Sequence, residues 1–146
     1  MTLYDTDVYA WAQEQAALLR EGAVAELDLM HLAEEIDAMR VSAYRALSSA
    51  IYQILVHLLK WRYQPERRGR SWQVSLVEHR NRVPRALSKM PSLAREMPTM
   101  VTEEYPRACR KASVQTDIPV AGFPATCPWD VEQILDHDFY PSEDAL

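Results

Sequence analysis

Apolar residues recur at helical spacing along most of this chain, beginning with a first predicted helix between Val8 and Leu19. Within that stretch they fall every three or four residues, which is the spacing of one helix face. Asp5 and Thr6 precede the stretch and are candidate N-caps, because their side-chain oxygens can accept hydrogen bonds from the first free backbone N–H groups. Gly22 follows the stretch and is expected to end or interrupt the helix.

The longest run of this pattern extends from about Asp28 to Tyr63 and predicts two further helices. The second helix begins near Asp28 and the third near Ser42. Because no helix breaker separates the two, they are either continuous or only bent. The apolar positions expected to face inward are Leu29, Leu32, Ala33, Ile36 and Met39 in the second helix, and Tyr44, Leu47, Ile51, Ile54, Leu55, Leu58 and Trp61 in the third.

Proline and glycine set the boundaries of the next elements. Pro65 and Gly69 mark a turn, after which Ser71 is the candidate N-cap of a fourth helix that Pro84 should kink. A fifth helix follows a turn at Pro91. The prolines at which this fifth helix is expected to bend or break are Pro98 and Pro106.

The last part of the chain is predicted to be an extended, proline-rich segment over residues 116–128 and then a short helix. Cys127 and Pro128 are the expected N-cap and first residue of that helix, which runs to Leu135. Together the patterns predict an all-α fold. It is a five-helix, bundle-like domain over residues 1–141 with kinked fourth and fifth helices and the short C-terminal helix, followed by a flexible tail at residues 142–146.

Composition agrees with this prediction. Only three glycines in 146 residues argue against a turn-rich β protein, and a charged fraction of 25% argues against disorder. No apolar run approaches the roughly 18 to 20 residues needed to span a bilayer, and residues 1–7 have neither the basic start nor the apolar core of a signal peptide. Cys109 and Cys127 form no Cys-x-x-Cys pair and are expected to be reduced, inert thiols, so the sequence predicts a cytoplasmic protein.

The net charge of -5 conceals a strong segregation of charge along the chain. Residues 1–59 carry a net charge of -6 and residues 90–146 another -6, whereas residues 60–89 carry +7. A block this basic is typical of phosphate or nucleic-acid binding. The alternative, which the acidic net charge favours, is that the block packs against the protein's own acidic helices.

Several groups of residues occur together in an order that is typical of one protein family. They are Tyr4, Asp7, Trp11, Gln15 and Leu18-Leu19-Arg20 near the start; Leu32 to Ile36, Leu47, Ser49, His57 to Trp61, Gln64-Pro65 and Ser71-Trp72 in the centre; and Arg80, Pro91 to Leu93, Tyr105, Ala108, Phe123-Pro124, Cys127-Pro128, Ile134-Leu135 and Pro141 in the last part. In these residues the chain resembles the bacterial domain of unknown function family twenty-nine over about residues 4–141. The resemblance implies a fold and its boundaries, and no reaction. At two positions the chain departs from the family: Gln115 and Asp117 flank Thr116 where the family usually has Glu-Thr-Gly, and His31 stands where it tends to have asparagine.

Three residues are candidates for chemistry, namely Glu35, His57 and Arg80. At 100° per residue Glu34 points away from the core and Glu35 lies at the edge of the apolar stripe, so the two carboxylates cannot grip one proton or metal. Arg80 falls within the apolar stripe of the fourth helix, where an unpaired charge is costly, and Glu35 is its expected ion-pair partner. His57 is expected to be a boundary histidine bonded to a neighbouring helix, with a proton shuttle or metal ligand as the alternatives.

The turn between the third and fourth helices gathers basic and aromatic side chains, a mixture that can hold phosphates and stack on bases. These candidate binding residues are Lys60, Trp61, Arg62, Arg67, Arg68, Arg70 and Trp72. The leading interpretation is a non-catalytic binding module that uses this basic turn (residues 60–72) to contact a nucleic-acid or protein partner.

Two alternatives stay open. One is a small enzyme or ligand-binding bundle with its site at Glu35, His57 and Arg80 and with Trp61 or Trp72 as the wall of that site. The other is a structural subunit that forms homo-oligomers. The sequence shows no recognised metal-ligand spacing and no glycine-rich phosphate loop, so we expect no metal, no cofactor and no membrane partner.

Overall fold

Six α-helices make up most of residues 1–142, the part of the chain that the structure, a computed structural model, describes. No strand occurs within these residues, so the predicted all-α fold is confirmed. The predicted flexible tail starts at Ser142, and the remainder of it, residues 143–146, lies outside the described part. The helices are α1 (Leu3–Thr6), α2 (Val8–Glu21), α3 (Leu29–Tyr63), α4 (Arg70–Lys89), α5 (Met97–Thr116) and α6 (Val131–Leu135).

Contacts along the chain divide it into two compact units. The first unit is Met1–Ser42 and the second begins at Ala43, so that α3 contributes residues to both. The predicted second and third helices are therefore one continuous helix of 35 residues. Within residues 1–142 no helix is both long enough and apolar enough to cross a membrane.

The helices of the first unit are capped by residues close to those predicted. Asp7, and neither Asp5 nor Thr6, is the N-cap of α2, and its carboxylate accepts a hydrogen bond from the backbone N–H of Ala10 at 3.0 Å. The predicted caps are wrong because α1 already contains both residues. Gly22 ends α2 in the left-handed conformation with φ 72°, as predicted.

Much of the apolar stripe predicted for the first part of α3 is exposed. Leu29, Ile36 and Met39 are 65%, 64% and 58% exposed, so the prediction that they face a core is wrong. The buried residues of the first unit are Trp11 and Gln15, which hold Asp28. The indole Nε1 of Trp11 donates to the Asp28 carboxylate at 3.0 Å, and the Gln15 side-chain oxygen accepts from the Asp28 backbone N–H at 2.8 Å.

The hydrophobic core of the second unit lies between the rest of α3 and the helices α4, α5 and α6. The inward stripe predicted for this part of α3 is confirmed at its centre. Its fully buried members are Leu47, Ile51, Ile54, Leu55 and Leu58. Leu76 and Val83 of α4 and Met100, Ala108 and Ala112 of α5 complete the main contacts.

The prolines in this unit interrupt the helices less than the sequence suggests. α4 continues through Pro84 and α5 continues through Pro106, while Pro98 lies in the first turn of α5, where a missing N–H costs nothing. Two helix starts differ from the prediction by two residues. α4 begins after Gly69, and α6 begins after Asp130, whose carboxylate accepts from the Gln133 backbone N–H and forms a capping box.

Candidate functional site

Arg80 lies inside the second unit, as its position in the apolar stripe of α4 predicts, and only 2% of it is exposed. Its Nε donates a hydrogen bond to the carbonyl oxygen of Ile134 at 2.9 Å, and its Nη2 donates to that of Phe139 at 3.0 Å. The guanidinium carbon is 5.7 Å from the centre of the Tyr140 ring. Burial lowers the pKa of Arg80, but a guanidinium stays protonated in a protein. Arg80 therefore fastens the C-terminal segment to α4.

The predicted ion pair between Arg80 and Glu35 is wrong. Carbonyl groups in the last turn of a helix lack intrahelical partners and carry the negative end of its dipole, so those of α6 take the place of a carboxylate. Glu35 instead accepts a hydrogen bond at 2.6 Å from the hydroxyl of Tyr4. This bond is the main reason why the pKa of Tyr4 rises to about 12. Glu34 is exposed and Glu35 half-buried, as predicted.

His57 faces a second histidine, His79 of α4, with 6.1 Å between the ring centres. Its Nδ1 donates to the carbonyl oxygen of Gln53 at 2.8 Å, within its own helix, so the predicted bond to a neighbouring helix is wrong. Burial lowers the pKa of both histidines, and the cations Lys60 and Lys111 lower that of His57 further. Both rings are therefore neutral at pH 7.

Lys60 joins these histidines to the basic turn. Its ammonium group donates to the side-chain oxygen of Gln115 at 3.1 Å and lies 4.8 Å from the centre of the Trp72 ring. Burial lowers the pKa of Lys60, and the neighbouring Lys111 lowers it further. His57, Lys60, His79 and Lys111 thus form a group of mutually repelling bases, which we call the basic cluster.

The basic turn keeps its positive charge. Three ion pairs occur within residues 1–142, namely His31–Asp28, Arg40–Asp37 and Arg107–Glu104, and none of them includes a basic residue from 60–89. Arg67 and Arg70 are exposed and form no side-chain hydrogen bond within the described part of the chain. The alternative that these residues pack against the protein's own acidic helices is therefore wrong.

Aromatic rings hold the other cations of the turn. The guanidinium of Arg68 lies 5.5 Å from the centre of the Trp61 ring, and its Nε donates to the Trp61 carbonyl oxygen at 2.6 Å. Arg62 lies 4.9 Å from the ring of Tyr63. A cation–π contact fixes the position of a cation without neutralising it, as a carboxylate would. The predicted binding residues therefore share one basic surface, and their ring faces are partly covered by cations.

The two thiols do not form a reactive site. Burial raises the pKa of both Cys109 and Cys127, which opposes formation of the nucleophilic thiolate. Cys127 lines a cleft of about 780 Å³ together with Tyr105 and Trp129. Residues 1–142 contain no group of three or more histidine, cysteine, aspartate or glutamate side chains that could hold a metal ion.

Sequence reasoning missed three members of this surface. His79 follows Trp72 by seven residues and so lies on the same face of α4, a signal that was available from helical spacing. Lys111 and Gln115 come from α5, more than 50 residues after Lys60, and only the packing of α5 beside α3 brings them into the surface.

These features define an all-α protein with a basic, aromatic-rich surface that its own carboxylates leave largely unpaired. The family model described as Domain of unknown function DUF29 matches residues 3–140, so the chain belongs to that family and the resemblance is confirmed. No curated protein and no solved structure matches the chain. Because the family description names no activity, the function has to be argued from the site.

Proposed function

We propose that this protein is a non-catalytic helical module that binds the phosphate backbone of a nucleic acid. The binding surface consists of the basic turn and the basic cluster beside it. The single observation that carries the proposal is that nine basic residues within 60–89 form no ion pair in the described part of the chain, although the protein as a whole is acidic. Unpaired cations gathered on one face are the electrostatic feature that attracts a polyanion.

The contacts within the surface favour phosphate over base recognition. Trp72 and Trp61 each have a cation over the ring, Lys60 and Arg68 respectively. A base could stack there only by displacing that cation, whereas a phosphate oxygen could accept hydrogen bonds from its free N–H groups. Phosphate contacts position a protein on nucleic acid but do not read its sequence. Binding should therefore depend strongly on salt and little on sequence.

Fluorescence anisotropy with labelled oligonucleotides tests the proposal. The wild-type protein should bind two single-stranded oligonucleotides of unrelated sequence equally well, and should lose affinity steeply between low and moderate salt. The double variant Arg67→Gln, Arg70→Gln removes two exposed cations that have no structural partner. Its slope of log affinity against log salt should be smaller than that of the wild type by about two, one for each lost phosphate contact.

The matched control is the double variant Arg20→Gln, Arg45→Gln. These two arginines are also exposed, but they lie in the acidic part of the sequence. The control has the same change in net charge and should keep the wild-type slope. If the wild type binds no oligonucleotide at low salt, or if the Arg67 and Arg70 variant binds as the wild type does, the proposal is wrong. If polyglutamate binds and oligonucleotides do not, the surface serves an acidic protein instead.

The alternative of an enzyme at Glu35, His57 and Arg80 lacks a supporting observation. Arg80 is committed to backbone carbonyls and Glu35 to Tyr4, and neither forms a hydrogen bond to His57 within residues 1–142. A catalytic acid or base has to be within hydrogen-bond reach of a reacting group. The two charged candidates are instead used to hold parts of the fold.

A further inference from the structure

The first unit, Met1–Ser42, buries too little to be stable by itself. Trp11 is its one buried apolar side chain, and Gln15 is the other buried residue. Units of about 40 residues usually need a disulfide, a metal or a partner chain to stay folded. The unit contains no cysteine and no group of side chains that could hold a metal ion. A partner chain is the stabilising device that remains.

Exposed apolar side chains are concentrated in the same unit. Of the fourteen large hydrophobic residues that are exposed in the described part of the chain, ten lie in residues 1–42. Scattered exposed hydrophobic residues are ordinary, but a concentration of them marks an interaction surface. These ten are Met1, Leu3, Val8, Tyr9, Leu19, Val24, Leu29, Met30, Ile36 and Met39.

Part of this apolar surface has the spacing of a coiled-coil seam. Leu29, Leu32, Ile36 and Met39 follow one another at intervals of three, four and three residues, which are the a and d positions of a heptad. Leu32 is half-buried and the other three are exposed. Ala33 lies beside them, is exposed, and is small enough to let another helix approach closely. We call these four residues the α3 seam.

We propose that the α3 seam pairs with the α3 seam of a second copy of this chain, making the protein a homodimer. The intervals three, four, three are the same in both chain directions. A second copy therefore places an apolar residue opposite an apolar residue at all four positions, in a parallel or an antiparallel pair. One patch that complements itself is the geometry of a twofold dimer.

The charge of the first unit separates a second copy from other occupants. Residues 1–42 carry nine acidic and two basic side chains, a net charge of -7. Anionic lipid and nucleic acid are repelled by such a surface, and a basic partner protein would be held more weakly as salt rises. Two identical acidic units that meet through an apolar seam repel one another at low salt. Their association should instead strengthen as salt screens that repulsion.

Sedimentation equilibrium of the full chain tests the proposal. The wild type should be a dimer in reversible equilibrium with monomer, and its dissociation constant should fall as salt is raised from low to moderate concentration. The double variant Ile36→Ser, Met39→Ser leaves the charge unchanged and removes two apolar side chains from the seam. Its dissociation constant should rise by about 100-fold or more, as expected for two residues at the centre of an interface.

Met30→Ser is the matched control, because Met30 is 67% exposed on the same helix but lies about 100° away from Leu29 and off the seam. It should dimerise as the wild type does. Circular dichroism checks that all variants keep their helix content, and hydrogen exchange should show residues 29–39 protected only at concentrations that give dimer. A wild type that stays monomeric, a dimer that weakens with salt, or a seam variant that dimerises normally would overturn the proposal.

Discussion

The guanidinium Nε of Arg80 in α4 donates a hydrogen bond to the carbonyl oxygen of Ile134 in α6 at 2.9 Å. Ile134 is itself fully buried, so the bond joins two side chains that are both packed in the second unit. A second bond from Nη2 to the Phe139 carbonyl extends the same attachment to the segment after α6. A buried charge thus serves to hold an irregular stretch of backbone in place.

Replacing Arg80 with alanine should lower the free energy of unfolding by about 3 kcal/mol, because two buried carbonyl groups lose a charged donor and a cavity remains. Arg80→Lys should lower it nearly as much, since an ammonium group cannot reproduce the planar fork that contacts both carbonyls. Urea unfolding followed by circular dichroism measures the change. Arg82→Ala, at an exposed position of the same helix, should change the value by less than about 0.5 kcal/mol.

Helical periodicity predicted the fold class and most of the core. The spacing of Leu47, Ile51, Ile54 and Leu58 is that of one helix face, and these residues are buried together. The same rule failed for Leu29, Ile36 and Met39. Periodicity identifies which residues share a face of a helix, but it cannot say whether another element of the same chain covers that face.

The candidate site was predictable only in part. The basic turn follows from residues close together in the sequence, and it forms one surface in the structure. The partners of Arg80 could not be predicted, because a backbone carbonyl leaves no signature in the side-chain sequence. The contribution of Lys111 depends on how α5 packs beside α3, which no local pattern specifies.

Tyr4 and Glu35 should be energetically coupled, whereas Glu35 and Arg80 should not. The hydroxyl of Tyr4 donates to Glu35, so Tyr4→Phe and Glu35→Gln each remove the same bond. The double variant should therefore lose less stability than the sum of the two single variants. Urea unfolding of the four proteins in the cycle measures this. Additive effects of Tyr4→Phe and Glu35→Gln, or coupling between Glu35→Gln and Arg80→Ala, would contradict the assignment.

The histidines should titrate on opposite sides of the ordinary value of 6.5. Burial holds the pKa values of His57 and His79 below it, whereas the hydrogen bond to Asp28 holds the pKa of His31 above it. Chemical shifts of the ring protons, followed by NMR against pH, should give this order. His57→Gln and His79→Gln assign the two lower titrations. Equal pKa values for the three rings would contradict the structure.

Oligonucleotide binding should tighten as the pH falls from 8 to 6. A bound phosphate favours the charged form of a nearby imidazole, so binding raises the pKa of His57 and His79 and takes up protons. Anisotropy titrations at each pH measure the affinity. The double variant His57→Gln, His79→Gln should lose most of this pH dependence, while His137→Gln, at an exposed position, should retain it. An affinity that does not change with pH would place the phosphates away from the basic cluster.

Gly22→Ala should destabilise the protein by about 1 kcal/mol, because φ is 72° at this position and an added Cβ strains the left-handed conformation. Gly69→Ser is the comparison. Gly69 has an extended backbone, an added Cβ there meets nothing within 4 Å, and α4 has no side-chain cap. A serine at that N-cap should cost nothing or add stability. Urea unfolding distinguishes the two, and equal losses would be inconsistent with the backbone geometry.

Arg67 and Arg68 are neighbours in the basic turn, but their replacement should have different consequences. Arg68 is half-buried, donates to the Trp61 carbonyl oxygen and lies over the Trp61 ring, so Arg68→Gln should lower the free energy of unfolding by about 1 to 2 kcal/mol. Arg67 is exposed without a side-chain partner in the described residues, so Arg67→Gln should change it by less than about 0.5 kcal/mol. Urea unfolding of both variants, with oligonucleotide affinity measured in parallel, separates the two effects. Arg67→Gln should weaken binding at full stability, and a loss of stability in Arg67→Gln equal to that in Arg68→Gln would show that the turn is held in a different way.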